Sequence, residues 1–554
     1  MWRKGIFSAS RQSAKSLDRE RPVADLQQTF SHFRIATAGM PPYRTGMSSQ
    51  RKHGPIRRGV LVALAGAACL LVTSCAAAQV PAASTQPGAA DRPNVVFVLT
   101  DDLAMNLVQY MPNVQKLARD GTTFANYTVT DSLCCPSRSS IFTGKFPHDT
   151  GVVTNGGSDG GFDVFHKRGN EKATSAVALQ AAGYRTGMMG KYLNGYNPRG
   201  KVDGQENYVP PGWDEWDVAG NGYPEFDYDL NENHTVKHYG SQPEDYLTDV
   251  VSGKASGFIN SSVSAHKPFL LEVATFAPHG PFTPAPRDQD AFPGLTAPRG
   301  KAFDQLPSNP PQWLAGRTPL TDKEKSVIDT GFRKRAQAVQ AVDRMVGSLR
   351  DTLTKAGVAD DTLVVFSSDN GFHMGEYRLN PGKMTAFDTD IHVPLIVAGG
   401  AKLGVGANKT ISNPVENIDL APTFEKLAGL TPAADVDGHD LMPLLTGQPV
   451  PDGRTTALIE HHGPDFDASD PDKPGKNSGN PATYEALRTV DYTYVEYTTD
   501  GSAEFYDRTA DPDELNNAAG SLPPDRRAQL HNALQALANC HGQQACSAAE
   551  RLLR

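Results

Sequence analysis

The sequence predicts an α/β protein: a mostly parallel sheet flanked by helices, followed by a smaller C-terminal subdomain built on an antiparallel sheet. Three observations carry this. The runs Asn94–Thr100 and Thr362–Ser368 are apolar and β-branched without polar alternation, as in strands buried on both faces. They alternate with segments of helical period closed by glycine, the order that produces parallel sheets covered on both sides. From about Arg454 the pattern changes to short strands joined by tight turns.

Residues 1–75 stand apart. Arg51–Gly59 is basic, Val60–Val72 is apolar, and small residues lead to Cys75. This is the charged, hydrophobic and cleavage order of an export signal, and the apolar run is short for a membrane span. Val72-Thr73-Ser74-Cys75 resembles the bacterial lipobox, in which Cys75 becomes the lipid-carrying first residue. Cleavage after Ala78 is the alternative, and Met47 is the expected start of translation. The expected location is outside a bacterial cytoplasm, lipid-anchored at the outer face of the membrane through Cys75, or secreted. Residues 76–92, rich in Ala, Pro and Ser, read as a flexible tether. Residues 93–450 form the expected main domain and 451–554 the C-terminal α+β subdomain.

Within the main domain, Asn113–Gly121 reads as a short helix with a glycine stop, and Ser175–Tyr192 as helix, glycine, strand. Pro268–Pro281 opens as a buried strand and ends in a loop. Thr321–Gly357 is a long amphipathic helix, because Phe332, Ala336, Val339, Val342, Val346, Leu349 and Leu353 recur at three and four residues. A strand in Val393–Gly400 and a helix in Asn417–Gly429 complete the alternation. Short strands follow in 455–462, 484–489, 492–499 and 503–508, then a helix in Asp525–Asn539.

The chain has a formal net charge of −9. Residues 1–75 hold 12 Lys and Arg against 3 Asp and Glu, so the remainder has 41 against 59, a net −18. Such an acidic body argues against nucleic acid as a partner and against a bulk grip on polyanions. In an exported chain, Cys540 and Cys546 read as a small disulfide loop. Cys134 and Cys135, in Asp131–Lys145 (DSLCCPSRSSIFTGK), are left over.

Ligands of open parallel sheets bind at the carboxyl ends of the strands. Here those ends carry Asp101–Asp102, Asp369–Asn370 and, after a loop, His279. Each acidic pair alone reads as a turn or helix cap. Together, each directly after a buried strand, they form an all-oxygen set suited to a hard divalent cation such as calcium. Pro136 fits the first position of a helix, which sets Cys134 just before an N-terminus that favours anions, with Arg138 one turn further in. An anion site beside a divalent metal points to hydrolysis of a phosphate or sulfate ester. Cys134 could act as a low-pKa nucleophile there, although a soft thiolate matches calcium poorly.

Cys134-Cys135-Pro136-Ser137-Arg138 followed by Thr143-Gly144-Lys145 resembles the Cys-x-Pro-Ser-Arg signature of the type I sulfatases. The likeness extends from about Pro93 through Gly190–Tyr196 (GKYLNGY), Phe276–Pro281 (FAPHGP), Ser367–Glu376 (SSDNGFHMGE) and Asn417–Thr423 (NIDLAPT). Its wording is nearest the N-acetylglucosamine-6-sulfatases. The resemblance implies an alkaline-phosphatase-like fold and a formylglycine made from Cys134 by a formylglycine-generating enzyme. It implies a hydrated formylglycine that attacks sulfur and resets by expelling sulfate, and a calcium ion held by Asp101, Asp102, the modified Cys134, Asp369 and Asn370. It implies that Arg138 orients the diol, that Lys191 and Lys383 grip sulfate oxygens, and that His279 protonates the leaving oxygen. His373 falls on the substrate side. Many relatives have a histidine where this chain has Leu193, so Asn194 takes the polar role there. The implied substrate is a sulfated small molecule or glycan fragment, such as glucosamine 6-sulfate or an aryl sulfate. A phosphomonoesterase or phosphodiesterase of the same superfamily, and a non-catalytic binder of sulfated glycans, are the competing readings. Trp213 and Trp216 offer rings for a sugar face or for packing under a loop.

Overall fold

The computed structural model describes residues 92–450, 453–463, 470 and 472–553. The expected export signal, the candidate lipid site Cys75 and most of the expected tether lie outside the described residues. Among the described residues no helix is long and apolar enough to cross a membrane.

The strands of the main part are Asn94–Thr100 (β1), Thr122–Thr128 (β2), Arg185–Lys191 (β3), the pair Lys201–Val202 (β4) and Gln205–Glu206 (β5), Glu215–Ala219 (β6), Tyr228–Glu232 (β7), Thr235–Tyr239 (β8), Phe269–Ala274 (β9), Thr362–Ser368 (β10), Leu395–Gly399 (β11) and Lys409–Glu416 (β12). All but β4 and β5 form one sheet, in the order β12-β2-β11-β10-β1-β9-β3-β6-β7-β8. Along β1 every residue is buried. Val95, Phe97 and Leu99 face one helix layer, and Val96 and Val98 the other, as the two-residue period of a strand requires. The first layer includes Cys134–Thr143, Ser175–Ala181 and Leu420–Leu427; the second includes Pro112–Asp120, Leu247–Ser264 and Asp322–Lys355.

The long helix obeys its sequence pattern. Thr321 caps it in a reciprocal capping box with Glu324, and its apolar stripe from Phe332 to Leu353 is buried. One strand departs from the expected direction. The central run β10-β1-β9-β3-β6 is parallel, but β11 is antiparallel to β10. A parallel return needs a substantial crossover. Residues 369–394, long enough for a crossover, instead carry the four-residue helix Asp388–Ile391 and bring the chain back antiparallel beside β10. The hairpin of β7 and β8 extends the far edge by antiparallel pairing.

The C-terminal sheet consists of Ala457–His461 (β13), Tyr484–Arg488 (β14), Tyr492–Tyr497 (β15) and Ala503–Asp507 (β16), antiparallel in chain order. Helix Pro524–Leu537 buries Leu530, Ala533, Leu534 and Leu537 against Leu458, Leu487 and Tyr494. Cys540 and Cys546 are joined by a disulfide. Buried Arg454 binds Asp419 at 2.8 Å and also Glu416, tying this part to the end of β12.

His148, a few residues beyond the helix that starts at Cys134, makes a second tie. Its Nδ1 lies 2.9 Å from Glu460 of β13 and its Nε2 2.8 Å from the Cys540 carbonyl, so both nitrogens donate and the ring is an imidazolium. Burial opposes that charge, but the Glu460 carboxylate, the Cys540 carbonyl and Asp149 lift the pKa from 6.5 to about 9. A raised folded-state pKa contributes stability below the unfolded value and loses it as pH rises through the folded one. The advantage of the wild type over His148→Gln, on the order of 2 kcal/mol at pH 6, is therefore expected to shrink towards zero as the pH passes about 9 in denaturant unfolding.

Candidate active site

Four neighbouring strands end in one row. Thr100 of β1 pairs with Ser368 of β10, Leu99 with Ala274 of β9, and Ala274 with Gly190 of β3. The register therefore sets Asp101, Asp369 and Lys191 side by side at the carboxyl edge, with His279 carried above β9 by the loop that follows it. Successive residues on a strand face opposite ways. Asp101 and Asp102 nonetheless converge on one site, because the chain turns left-handed at Asp102 (φ 63°), a conformation that Asp tolerates.

The site is a buried cluster of charge. Asp101, Asp102 and Asp369 are 0–1 % exposed. Buried carboxylates require partners, and cations arrive from four places. Lys191 Nζ lies 2.5 Å from Asp101 Oδ2 and Lys383 Nζ 2.7 Å from Asp102 Oδ1. Arg138 donates from Nε to Asp369 Oδ2 at 2.8 Å and from Nη1 to the Lys191 carbonyl at 3.0 Å. Arg335, fully buried on the long helix, donates to the carbonyls of Asp102 and Pro278 and lies over the Phe372 ring at 4.3 Å. Burial lowers its pKa to about 10, so it stays charged at neutral pH. Sequence reading overlooked Arg335, although the signal was present: an arginine three residues after Phe332, on the apolar stripe.

The helix at the opening motif spans Cys134–Thr143, so Cys134 is its first residue rather than the one before it, and Pro136 is its third. Cys134 and Arg138 are both completely buried. Cys134 Sγ lies 3.1 Å from Asp101 Oδ1 and 2.9 Å from Lys383 Nζ. Burial, then Asp101, Asp369 and Asp472, push its pKa well above the ordinary thiol value against the pull of Lys191. Burial and the three carboxylates thus work against the low-pKa thiolate considered from the sequence.

His279 donates from Nδ1 to the Gly280 carbonyl at 2.8 Å and presents Nε2 to the site, where it meets Asp472 and lies 3.6 Å from Asp102 Oδ2. Burial works against its charge, but Asp472, Asp102 and Asp101 raise its pKa to about 9. Tyr223 packs against it at a tilt, ring centroids 4.6 Å apart, and sits 4.9 Å from Lys191 Nζ. Asn194 donates to Asp472 Oδ2 at 3.2 Å and to Tyr223 Oη at 3.4 Å. A cleft of about 150 Å³ opens beside Asp102, His279, Lys383 and Asp472, with Phe282 and Phe372 on its wall. Asp472 and Tyr223 were also missed, because each sits in a loop with no motif around it.

One expectation needs correction. His373 does not face a substrate: its Nδ1 lies 2.9 Å from Asp390 and its Nε2 2.9 Å from the Ser478 carbonyl, so both nitrogens are spent holding the walls of the cleft. Of the two alternatives for the tryptophans, packing holds for Trp216, which is completely buried with Nε1 bonded to Tyr196 Oη at 2.8 Å, and partly buried Trp213 lies against it.

Atoms able to ligate a metal come together on Asp101, Asp102, Cys134 and His279, all within 4.8 Å of one another. Asp369 stands just behind, its carboxylate held by Arg138 and by the N–H groups of Asp102 and Asn370. The Asn370 Oδ1 atom is buried with no hydrogen-bond partner. An orphaned carbonyl oxygen among carboxylates lacks a donor or a cation, so the donor set fits a hard divalent ion.

Close strand approach explains one glycine. A Cβ on Gly190 would stand 1.9 Å from the Ala274 carbonyl oxygen, and its φ is +95°. Gly190→Ala is expected to abolish cooperative unfolding and activity together. Gly253→Ala, on an exposed helix face with open space around it, should leave the unfolding midpoint unchanged or slightly raised in a thermal melt.

Comparison with known proteins bears on this geometry. The sulfatase family model matches residues 93–430, and the model of the N-sulphoglucosamine sulphohydrolase C-terminal region matches residues 375–539. Human N-acetylglucosamine-6-sulfatase is 34% identical over 478 residues, covering 81% of this chain and 85% of that one. A solved protein in complex with its substrate D-glucosamine-2-N,6-O-disulfate superposes with a TM-score of 0.65 at 25% identity, over 80% of this chain and 97% of that one. A phosphonate monoester hydrolase from Silicibacter pomeroyi shares the fold, with a TM-score of 0.59 at 22% identity over 79% and 93% of the two chains. The row of charged strand ends, the buried cysteine helix and the family match over most of the main domain agree: this chain belongs to the sulfatase family, an enzyme that hydrolyses sulfuric esters.

Proposed function

We propose that the enzyme removes sulfate from a sulfated sugar of the glucosamine 6-sulfate type, using a formylglycine made from Cys134 and a calcium ion. The observation that carries this is the position of Cys134. Its buried side chain lies within hydrogen-bond reach of Asp101 and of Lys383, a residue that lines the cleft. In the mature enzyme the atom now recorded as Sγ would be replaced by a hydroxyl oxygen of the formylglycine hydrate, a harder nucleophile than sulfur. The names of the human relative and of the substrate in the solved complex support a glucosamine 6-sulfate.

Asp101, Asp102, Asp369 and the free carbonyl oxygen of Asn370 would hold the cation, which when bound supplies charge neutralisation at sulfate and acidifies the attacking hydroxyl. The protein's own groups do the rest. Asp101 Oδ1 orients the nucleophile. Lys191 and Lys383, freed from the aspartates when these hold a cation, bind sulfate oxygens. His279, doubly protonated and anchored through Nδ1, holds its Nε2 proton for the departing alcohol oxygen. Asn194 supplies a neutral donor beside Leu193. Arg138 steadies Asp369 and the end of β3 from behind. A formylglycine-generating enzyme is the implied maturation partner. The disulfide at Cys540 and Cys546 supports an oxidising compartment, in keeping with an exported, lipid-anchored or secreted enzyme.

The peptide containing Cys134 is expected to be about 18 mass units lighter than its sequence in mass spectrometry; an unmodified thiol in active protein would overturn the mechanism. Turnover of an aryl sulfate and of glucosamine 6-sulfate should collapse on chelation and return with calcium, and preferential cleavage of phosphate esters would favour the other branch of the superfamily. Asn370→Ala should weaken calcium binding in calorimetry by at least the roughly tenfold that loss of an outer partner costs.

A further inference from the structure

Asp472 has no role in the chemistry above, yet it is the most heavily bonded carboxylate beside the cleft. Its side chain is 2 % exposed. Oδ1 accepts from His279 Nε2 and lies 3.1 Å from Lys383 Nζ; Oδ2 accepts from Asn155 Nδ2 at 2.8 Å and from Asn194 Nδ2 at 3.2 Å. Four donors from four separate parts of the chain converge on one anion. Asn155 in turn accepts the Cys135 N–H at 2.8 Å, which couples this arrangement to the first turn of the nucleophile helix.

Three of those donors, His279, Lys383 and Asn194, are the groups assigned above to the sulfate ester. The conflict is sharpest at His279. Its Nδ1 proton is committed to the Gly280 carbonyl, which leaves one N–H, on Nε2, and Asp472 occupies it. One N–H cannot serve both that carboxylate and a leaving oxygen. Two anions of like sign also cannot share so small and dry a seat at ordinary cost. We infer that Asp472 is a resident carboxylate that holds the sulfate seat and is displaced by the substrate, so that it sets the affinity of the site for the sulfate group. This rests on the sulfatase reading and assigns a residue to it. Because the carboxylate competes with ester and with inorganic sulfate alike, it weakens both equally: it raises KM and hastens loss of the sulfate product without touching the bond-breaking step directly.

The test uses the full-length, matured protein and inorganic sulfate as the probe. Asp472→Asn keeps the shape, removes the charge and turns an amide NH2 toward one pair of the donors while its oxygen still accepts from the other; Asp472→Ala empties the seat. Both are expected to tighten the competitive inhibition constant of inorganic sulfate, and its calorimetric affinity, by about tenfold, the factor expected if about a tenth of wild-type molecules have the seat open. An unchanged or weaker constant overturns the inference, including the case where kcat and its pH profile change while sulfate affinity does not, which would make Asp472 a positioning residue for His279. Should the variants fail to fold, wild-type crystals soaked in sulfate decide. Sulfate bonded to Lys383 and His279 with Asp472 moved off Nε2 is the expected result; sulfate bound there with Asp472 still on Nε2 overturns it. Tighter sulfate binding in a protein that hydrolyses no ester would leave this inference standing and remove the functional reading; turnover with unmoved sulfate affinity would do the reverse.

Discussion

Two adjacent carboxylates buried at the tip of the central strand are the constraint around which the rest is arranged. Asp101 and Asp102 are 0 % and 1 % exposed, and Asp369 stands beside them on the next strand. No protein holds so much like charge out of water without compensation. The sheet brings Lys191 up on β3, the first helix layer brings Arg138, the long helix of the second layer brings Arg335, and the loop after β10 brings Lys383. Each layer of the fold contributes a cation, and a divalent ion bound at this cluster would release the two lysines for an anionic substrate.

The C-terminal sheet serves the same end at one remove. Arg488 of β14 grips Asp388 through two nitrogens, and Arg508 binds the same carboxylate. Those arginines hold the Asp388 carboxyl far below its usual range despite its burial. Asp388 starts the short helix that also carries Asp390, and Asp390 anchors His373 and the Thr385 hydroxyl. The segment bearing Lys383 is thus fixed from the C-terminal side, which gives a physical reason for the second layer of structure: it supports one wall of the cleft.

Much of this was legible in the residues. Buried strands and the long helix announce themselves by period, and the Asp-Asp and Asp-Asn pairs placed directly after two such strands marked the candidate cation site. The signature around Cys134 then marked the candidate nucleophile. The missing pieces share a physical cause. Asp472, Asn155 and Tyr223 act through tertiary proximity alone, lying in loops whose local composition is that of any turn. The reversal of β11 is set by the path of the preceding connection, which no strand pattern records. His373 was misplaced because adjacency in sequence to Asn370 was taken for adjacency in the cleft, whereas the chain turns there and sends the ring towards Asp390.

The complete burial of Cys134 bears on the order of events in the life of the chain. On the proposed formylglycine reading, a maturation enzyme could not reach a side chain enclosed between a sheet and its helix layer, and oxidation would have to precede closure of the native state. The strand that completes the site, β10, pairs with β1 across more than half of the main domain, Asn94 with Thr362. Pairings so distant in sequence form slowly. The topology that seals Cys134 therefore also delays the sealing, and leaves an interval during synthesis in which the cysteine is still within reach.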